Sequence, residues 1–277
     1  MIPYFSQPAI PLGPLTIHGF GVLVAAAIFL GMGLVRRRAR RHGLDPALAY
    51  RLVTWILVGG FLGAHLVDRF VYFPRETLRD PITILKLWVG LSSFGGFLGA
   101  VAGAVVFIRR EKLAAQAWEY LDTIAYAFPF AWVVGRLGCF VAFDHPGAPT
   151  GFFLGQQFKD GVVRHNLGLE EAIYTVFLAA VFYVLGRKPR PVGFFVGLLP
   201  LLYAPVRFGL DFLRIVDVRY LGLTPGQYGS IGVGLLGAVI LWTRRHVPPG
   251  RSEGAAGSPP RQPEERVARR VGTGGER

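Results

Sequence analysis

The stretch IHGFGVLVAAAIFLGMGLVRRRARR, residues 17–41, decides the fold. Residues 17–35 contain no Asp, Glu, Lys or Arg, and the next six positions hold Arg36, Arg37, Arg38, Arg40 and Arg41. A bilayer core about 30 Å thick needs roughly 20 mostly apolar residues at about 1.5 Å of rise each. The stretch therefore reads as a helix that crosses a membrane and stops on a basic face. Six further segments have the same character, at about 52–73, 88–108, 119–141, 169–186, 192–213 and 226–243. Pro129, Pro200 and Pro205 interrupt two of them, which neighbouring helices tolerate inside a bundle. The predicted fold is all-α: a polytopic membrane protein of about seven transmembrane helices. Composition agrees, because 52% of the 277 residues are hydrophobic and 17% charged, too thin a charged coat for a soluble domain.

The charges give the orientation. The formal net charge is +13, with 30 Lys and Arg against 17 Asp and Glu. The Arg36–Arg41 cluster lies after the first span, Arg109, Arg110 and Lys112 after the third, Arg187, Lys188 and Arg190 after the fifth, and Arg244, Arg245 and six more arginines after the seventh. An odd number of spans puts all four clusters on one side, which the positive-inside rule makes cytoplasmic. The N-terminus is then outside and the C-terminus cytoplasmic. These clusters serve topology, so the positive balance gives no support to nucleic-acid binding. The opening MIPYFSQPAIPLGPL has no basic residue before its apolar run, and a cleaved signal peptide is not expected. The expected organisation is a membrane domain over 1–246, with an outer loop at 142–168 that caps its mouth, and a disordered basic cytoplasmic tail over 247–277.

Small residues recur at helix-packing spacing, in Gly95, Gly99 and Gly103, in Gly59 and Gly63, and in Gly193 and Gly197. The hexapeptide GGFLGA occurs at 59–64 and again at 95–100, with no longer repeat around it, and is read as a packing device. Cys139 is the one cysteine, which excludes an intrachain disulfide and any multi-cysteine zinc or iron–sulfur site. Neither a cofactor nor a metal is expected.

A charge at the centre of a span costs at least about 2.5–3.5 kcal/mol, so each asks for a partner or a role. The second span ends on His65, Asp68 and Arg69; the fourth carries Asp122 and Arg136; the sixth carries Arg207, Asp211 and Arg214. With the orientation above, His18, His65, Arg136, Asp144, His145, Arg207 and Asp211 all lie toward the outer side. Arg207 is expected about seven residues, or roughly 10 Å, below the outer end of its helix. Two arginines there suit an anionic lipid head, because a guanidinium offers a planar fork to phosphate oxygens. The densest constellation is GRLGCFVAFDHPG, residues 135–147, where a helix gives way to a loop bearing Asp144 and His145. An adjacent Asp and His can supply a proton acceptor near neutrality.

These segments, in this order, resemble prolipoprotein diacylglyceryl transferases. The resemblance is carried by IHGFGVLVAAAIF (17–29), GGFLGAHLVDRFVYFP (59–74), KLWVGLSSFGGFLGA (86–100), GRLGCFVAFDHPG (135–147), RHNLGLEEAIY (164–174), YAPVRFGLDFLR (203–214) and LTPGQYGSI (223–231). It implies a bacterial inner-membrane enzyme that moves the diacylglyceryl group of phosphatidylglycerol to the lipobox cysteine of a preprolipoprotein signal peptide, forming a thioether and releasing glycerol phosphate. It implies that Arg136 and Arg207 bind the lipid head, that Asp144 and Asp211 stand where the family has glutamates, and that Gly147 is the family's essential glycine. Three positions depart from the pattern. Phe94 replaces a histidine proposed as the base for the thiol, Phe20 replaces a tyrosine, and Cys139 replaces an asparagine. The expected catalytic residues are accordingly His145, Asp144 and Arg207, with Arg136, Gly147, Asp211 and Cys139 binding substrate. The alternative is a catalytically inactive paralogue that holds anionic phospholipid or lipoprotein signal peptides. A small-solute transporter is disfavoured because the polar residues gather outside and do not continue through the midplane.

Overall fold

The computed structural model describes residues 1–13, 15–86, 90–215 and 219–249. It is mostly helical. Strands β1 (Ala9–Leu12) and β2 (Leu15–His18) form a hairpin that leads into α1 (Gly19–Arg41), followed by α2 (Pro46–Val67), a short α3 (Pro74–Arg79), α4 (Ser93–Arg110) and α5 (Ala117–Ala142). Strands β3 (Pro146–Pro149), β4 (Gln156–Gln157) and β5 (Val163–Asn166) precede α6 (Leu167–Leu185), α7 (Phe194–Leu210) and α8 (Pro225–Arg244). The expectation of an all-α chain therefore needs correction. The outer loop at 142–168 is a three-stranded antiparallel sheet in the order β3-β5-β4, and Ile2 adds a bridge to Gln156. Its Gly and polar residues, which read as loop, satisfy their backbone groups by pairing with one another.

Among the described residues, five helical stretches are long and apolar enough to cross a membrane: Gly19–Arg41, Pro46–Tyr72, Ala117–Ala142, Leu167–Leu185 and Phe194–Leu213. The expected third and seventh spans are also helices, α4 and α8. Their apolar runs are shorter, since α4 closes on Arg109 and Arg110 and α8 opens on PGQYGS. The third begins at Ser93 and not at 88, and residues 87–89 are outside the described set. Residues 250–277 of the expected tail lie outside it as well; before them, Pro249 pairs with Pro191.

Local chemistry sets the helix starts. Asp45 caps α2 by accepting from the Ala47 amide at 2.8 Å, with Pro46 in the first turn, where its missing N–H costs nothing. Asn166 caps α6 through the Leu169 amide, and Thr224 and Gln227 form a reciprocal capping box on α8.

The repeated hexapeptide has a direct structural meaning: its two copies pack against each other, antiparallel, at the α2–α4 contact. A Cβ on Gly59 would lie 2.5 Å from the Gly99 carbonyl oxygen, and one on Gly63 would lie 2.5 Å from that of Gly95. Gly99 in turn faces the Gly59 backbone, and Gly103 faces Trp55. No side chain larger than hydrogen fits at these points without moving backbone. The remaining helices pack as α1 on α5, α5 on α6, and α7 on α8.

The basic ends of the helices meet at one end of the bundle. There Arg38, Arg41, His42, Asp122, Arg187 and Arg190 line a cavity of about 200 Å³. Asp122 Oδ1 accepts from the Phe195 and Val196 amides at 2.7 and 3.1 Å, so it caps α7. The two small sheets lie at the opposite end.

Two glycine substitutions should act with opposite sign. Gly99→Ala should lower stability by about 1–3 kcal/mol by overpacking the α2–α4 contact. Gly33→Ala, where a Cβ meets no atom within 4 Å, should be neutral or raise stability by up to about 1 kcal/mol through helix propensity. Thermal unfolding of the detergent-solubilised proteins checks both.

Candidate functional site at the sheet-bearing end

The site is built around a residue that the sequence reading did not single out. Glu171, in the second turn of α6, is 1% exposed. Its Oε1 lies 2.6 Å from Arg136 Nη2, and its Oε2 lies 3.6 Å from Arg207 Nη1. The Tyr203 hydroxyl donates to the same carboxylate and accepts from Arg136 Nη2 at 3.3 Å. One carboxylate therefore draws arginines from α5 and α7 onto α6. The Asn166 cap fixes where α6 begins, and Gly168 lets that first turn lie against the backbone of Cys139 and Phe140, where a Cβ would come within 2.8 Å of the Phe140 nitrogen. The signal for Glu171 was available: an acid inside an apolar helix is as costly as the arginines counted in the other spans.

Asp211 organises the other side. It is fully buried, pairs with Arg207 Nη2 at 2.9 Å, and lies 3.9 Å from Arg214 Nη1. Its second oxygen accepts from Thr224 Oγ1 at 2.7 Å, so the residue that caps α8 also locks Asp211. Asp211 thus lies between Arg207 and Arg214. Arg207 lies in the last turn of α7, which ends at Leu210, and so sits nearer its helix end than the seven residues counted from sequence. Arg136 also stands over the Trp132 ring, 4.6 Å from its centroid.

Three guanidinium groups, Arg136, Arg207 and Arg214, face two carboxylates, Glu171 and Asp211. Arg136 Nε, Arg207 Nη1 and Glu171 Oε2 are buried and have no hydrogen-bond partner among the described residues. Unused buried guanidinium donors are what a phosphate oxygen would satisfy.

The remaining predicted residues fall at the mouth. Cys139 lies in the last turn of α5 and receives Arg136 Nη1 at 3.6 Å. Phe143 then takes a left-handed conformation, φ +56°, and turns the chain back. That conformation is costly for an aromatic residue; its ring is held against Tyr4, Phe5 and Phe158. The turn brings Asp144 and His145 over Cys139. Asp144 pairs with His145 Nδ1, and the thiol lies within reach of the same ring. The Asp144 hydrogen bond, aided by Cys139, raises the His145 pKa to about 9, so the ring is an imidazolium at neutral pH. Among the described residues, Cys139, Asp144 and His145 bring three potential ligand atoms within 4.8 Å of one another. Beside them is an open cavity of about 290 Å³ lined by Gln7, His18, Phe20, Ala142 and Asp144.

Gly147 bridges to the Arg214 backbone and packs on His165, where a Cβ would come within 2.8 Å of the His165 Cβ. His65 does not join the group. Its Nε2 bonds the Ile84 carbonyl at 2.9 Å, and Asp68 and Arg69 pair with each other beside it, tying α2 to the segment that follows. Phe94, at the first turn of α4, is 61% exposed.

Glu171→Ala should destabilise the protein by about 3–5 kcal/mol, because it strips a buried guanidinium of its partner, and unfolding in detergent reads that loss. Asp144→Asn should bring His145 from about 9 down toward its ordinary value near 6.5, followed by NMR titration of the labelled ring.

Comparison with known proteins identifies the family. The family model described as prolipoprotein diacylglyceryl transferase matches residues 7–243. Among curated proteins, the phosphatidylglycerol–prolipoprotein diacylglyceryl transferase of Polynucleobacter asymbioticus is 33% identical over 253 residues, covering 86% of this chain and 96% of that protein. The protein of the same name from Cupriavidus necator is 34% identical over 268 residues, with 89% and 95% covered. That from Nitratidesulfovibrio vulgaris is 33% identical over 266 residues, with 92% and 98% covered. The match spans α1 to α8 and every residue of the Arg136–Glu171–Arg207 group, and the chain belongs to the prolipoprotein diacylglyceryl transferase family.

Proposed function

We propose that this chain transfers the diacylglyceryl group of phosphatidylglycerol to the lipobox cysteine of preprolipoprotein signal peptides, at the outer face of a bacterial inner membrane that it crosses seven times with its N-terminus outside. The observation that carries this reading is the gathering of Arg136 and Arg207 on Glu171, with buried guanidinium nitrogens left without a hydrogen-bond partner among the described residues. A phosphodiester headgroup brings one negative charge, and glycerol phosphate leaves with its charge increased. Arginines fixed before the reaction stabilise that increase without reorganising.

In this reading the lipid phosphate lies against Arg136 and Arg207, and Asp211 and Glu171 keep the two guanidinium planes from turning away. The lipobox thiol enters by the cavity beside Asp144 and Phe20. Its ionisation falls to the residues around Cys139, because Phe94 accepts no proton. The imidazolium of His145, held by Asp144, and the Arg136 guanidinium put two positive charges beside the incoming sulfur and lower its pKa. The thiol's proton passes to solvent through the open mouth beside Asp144; the thiolate attacks the glyceryl CH₂ carbon, a C–S bond forms, and the C–O electron pair leaves on the phosphate. Gly147, packed on His165 and bridged to Arg214, keeps this mouth narrow.

The second reading, a paralogue that binds without turnover, is favoured by Phe94 and Phe20 specifically. Purified protein with phosphatidylglycerol and a lipobox peptide separates the two. The expected result is a peptide gaining one diacylglyceryl mass, with glycerol phosphate released. Lipid binding without product would establish the inactive reading. Arg136→Ala should reduce turnover by about 10²–10³-fold, the scale of removing one donor from a charge-stabilising site. His145→Ala should cost about 10²-fold, and unchanged turnover in that variant would remove His145 from the mechanism.

A further inference from the structure

Cys139, Asp144 and His145 form a group whose composition calls for more than a hydrogen-bonded turn. We propose that these three side chains hold a divalent transition-metal ion, Zn²⁺ by chemistry, and that the ion's open position receives the lipobox thiol. The proposal rests on the transferase reading and puts the ion, in place of the His145 proton, in charge of ionising the acceptor.

The ligand types are the first argument. One thiolate, one imidazole and one carboxylate make a three-ligand set of the kind that catalytic zinc uses, leaving a fourth position for water or substrate. Tetrahedral bonds of about 2.0–2.3 Å put ligand atoms roughly 3.3–3.8 Å apart. The three atoms already lie within 4.8 Å of one another, about an ångström beyond that spacing. The backbone arrangement is the second argument. Positions 139 and 144–145 are separated by a helix end, and only the left-handed Phe143 folds the later pair back over the earlier residue. Four aromatic rings, Tyr4, Phe5, Phe143 and Phe158, hold that strained turn.

Charge is the third. A thiolate, a carboxylate and a neutral imidazole balance a divalent cation, so the loaded group is neutral and sits beside the Arg136 guanidinium, 3.6 Å from Cys139 Sγ, without repulsion between net charges. The ion takes the place of the proton that His145 and Asp144 otherwise share. Access is the fourth: Asp144 also lines the open cavity shared with His18 and Phe20, which leaves room for a thiol to approach.

The chemistry balances without an oxidant. The incoming thiol displaces metal-bound hydroxide, its proton leaves as part of the released water, and the sulfur remains on the ion as thiolate. That sulfur then attacks the glyceryl CH₂ carbon; the C–O bond breaks and its electrons go to the phosphate held by Arg136 and Arg207. One guanidinium, Arg136, touches both the cysteine ligand and the carboxylate of the phosphate site, which places nucleophile and leaving group on either side of it.

The test uses the full chain in detergent, treated with chelator and then titrated with Co²⁺ as a coloured substitute. The expected result is one ion per chain, with an intense near-ultraviolet sulfur-to-metal band that is lost in Cys139→Ser, weakened in Asp144→Asn, and shifted by a lipobox peptide but not by its serine analogue. Reloading the stripped protein with Zn²⁺ should raise transfer by about a hundredfold, the scale of a well-placed base. No stoichiometric ion and no band would overturn the proposal. So would equal transfer by stripped and reloaded protein. A Cys139-dependent band with no transfer in either form would instead remove the transferase reading and leave the metal site standing.

Discussion

The Glu171 carboxylate is the point on which this end of the molecule depends. Two guanidinium groups from α5 and α7 would repel each other inside an apolar bundle if nothing stood between them, and each alone would cost several kcal/mol to bury. Glu171 removes both penalties together, and Tyr203 satisfies part of what remains. Three helices are thereby fixed at one depth and one rotation. Asp211 does the same for Arg207 and Arg214, and it is itself held by the residue that starts α8. The packing of α5 to α8 and the geometry of the anion site are the same set of contacts.

Helices α1 to α4 follow a different principle. The α2–α4 contact contains almost no polar chemistry and relies on glycine, with carbonyl oxygens of one helix filling the space where the other lacks Cβ atoms. This close approach makes dispersion contacts dense where the hydrophobic effect gives little discrimination between helix and lipid. One side of the protein is thus assembled by removing side chains and the other by pairing charged ones.

Much of this was legible in the sequence, for physical reasons that differ by residue. Apolar runs of about 20 residues located α1, α2, α5, α6 and α7, because desolvation of the backbone leaves few other structures. Arg136, Arg207 and Asp211 were found since their helix spacing and cost inside a span mark them. Glu171, inside the span expected at 169–186, was missed although the same cost applied, because its arginine partners lie on other helices and no pairing within its own segment marks it. The sheet at 146–166 was missed for another reason: Pro146, Pro149 and the Gly residues obscure the alternation that marks a strand, and the pairing is long-range. The juxtaposition of Cys139 with Asp144 and His145 depended on a left-handed phenylalanine, which no residue-level preference predicts.

The turn at Phe143 separates two inheritances. The arginine–carboxylate cluster is embedded in helices that constrain one another, so a change there is felt by several neighbours at once. The Cys139–Asp144–His145 group hangs on a single reversed residue and the two that follow it, supported by rings from the chain's first few positions. The second group can therefore be reshaped by substitutions at one helix end and its turn, while a change at Glu171 disturbs three helices together.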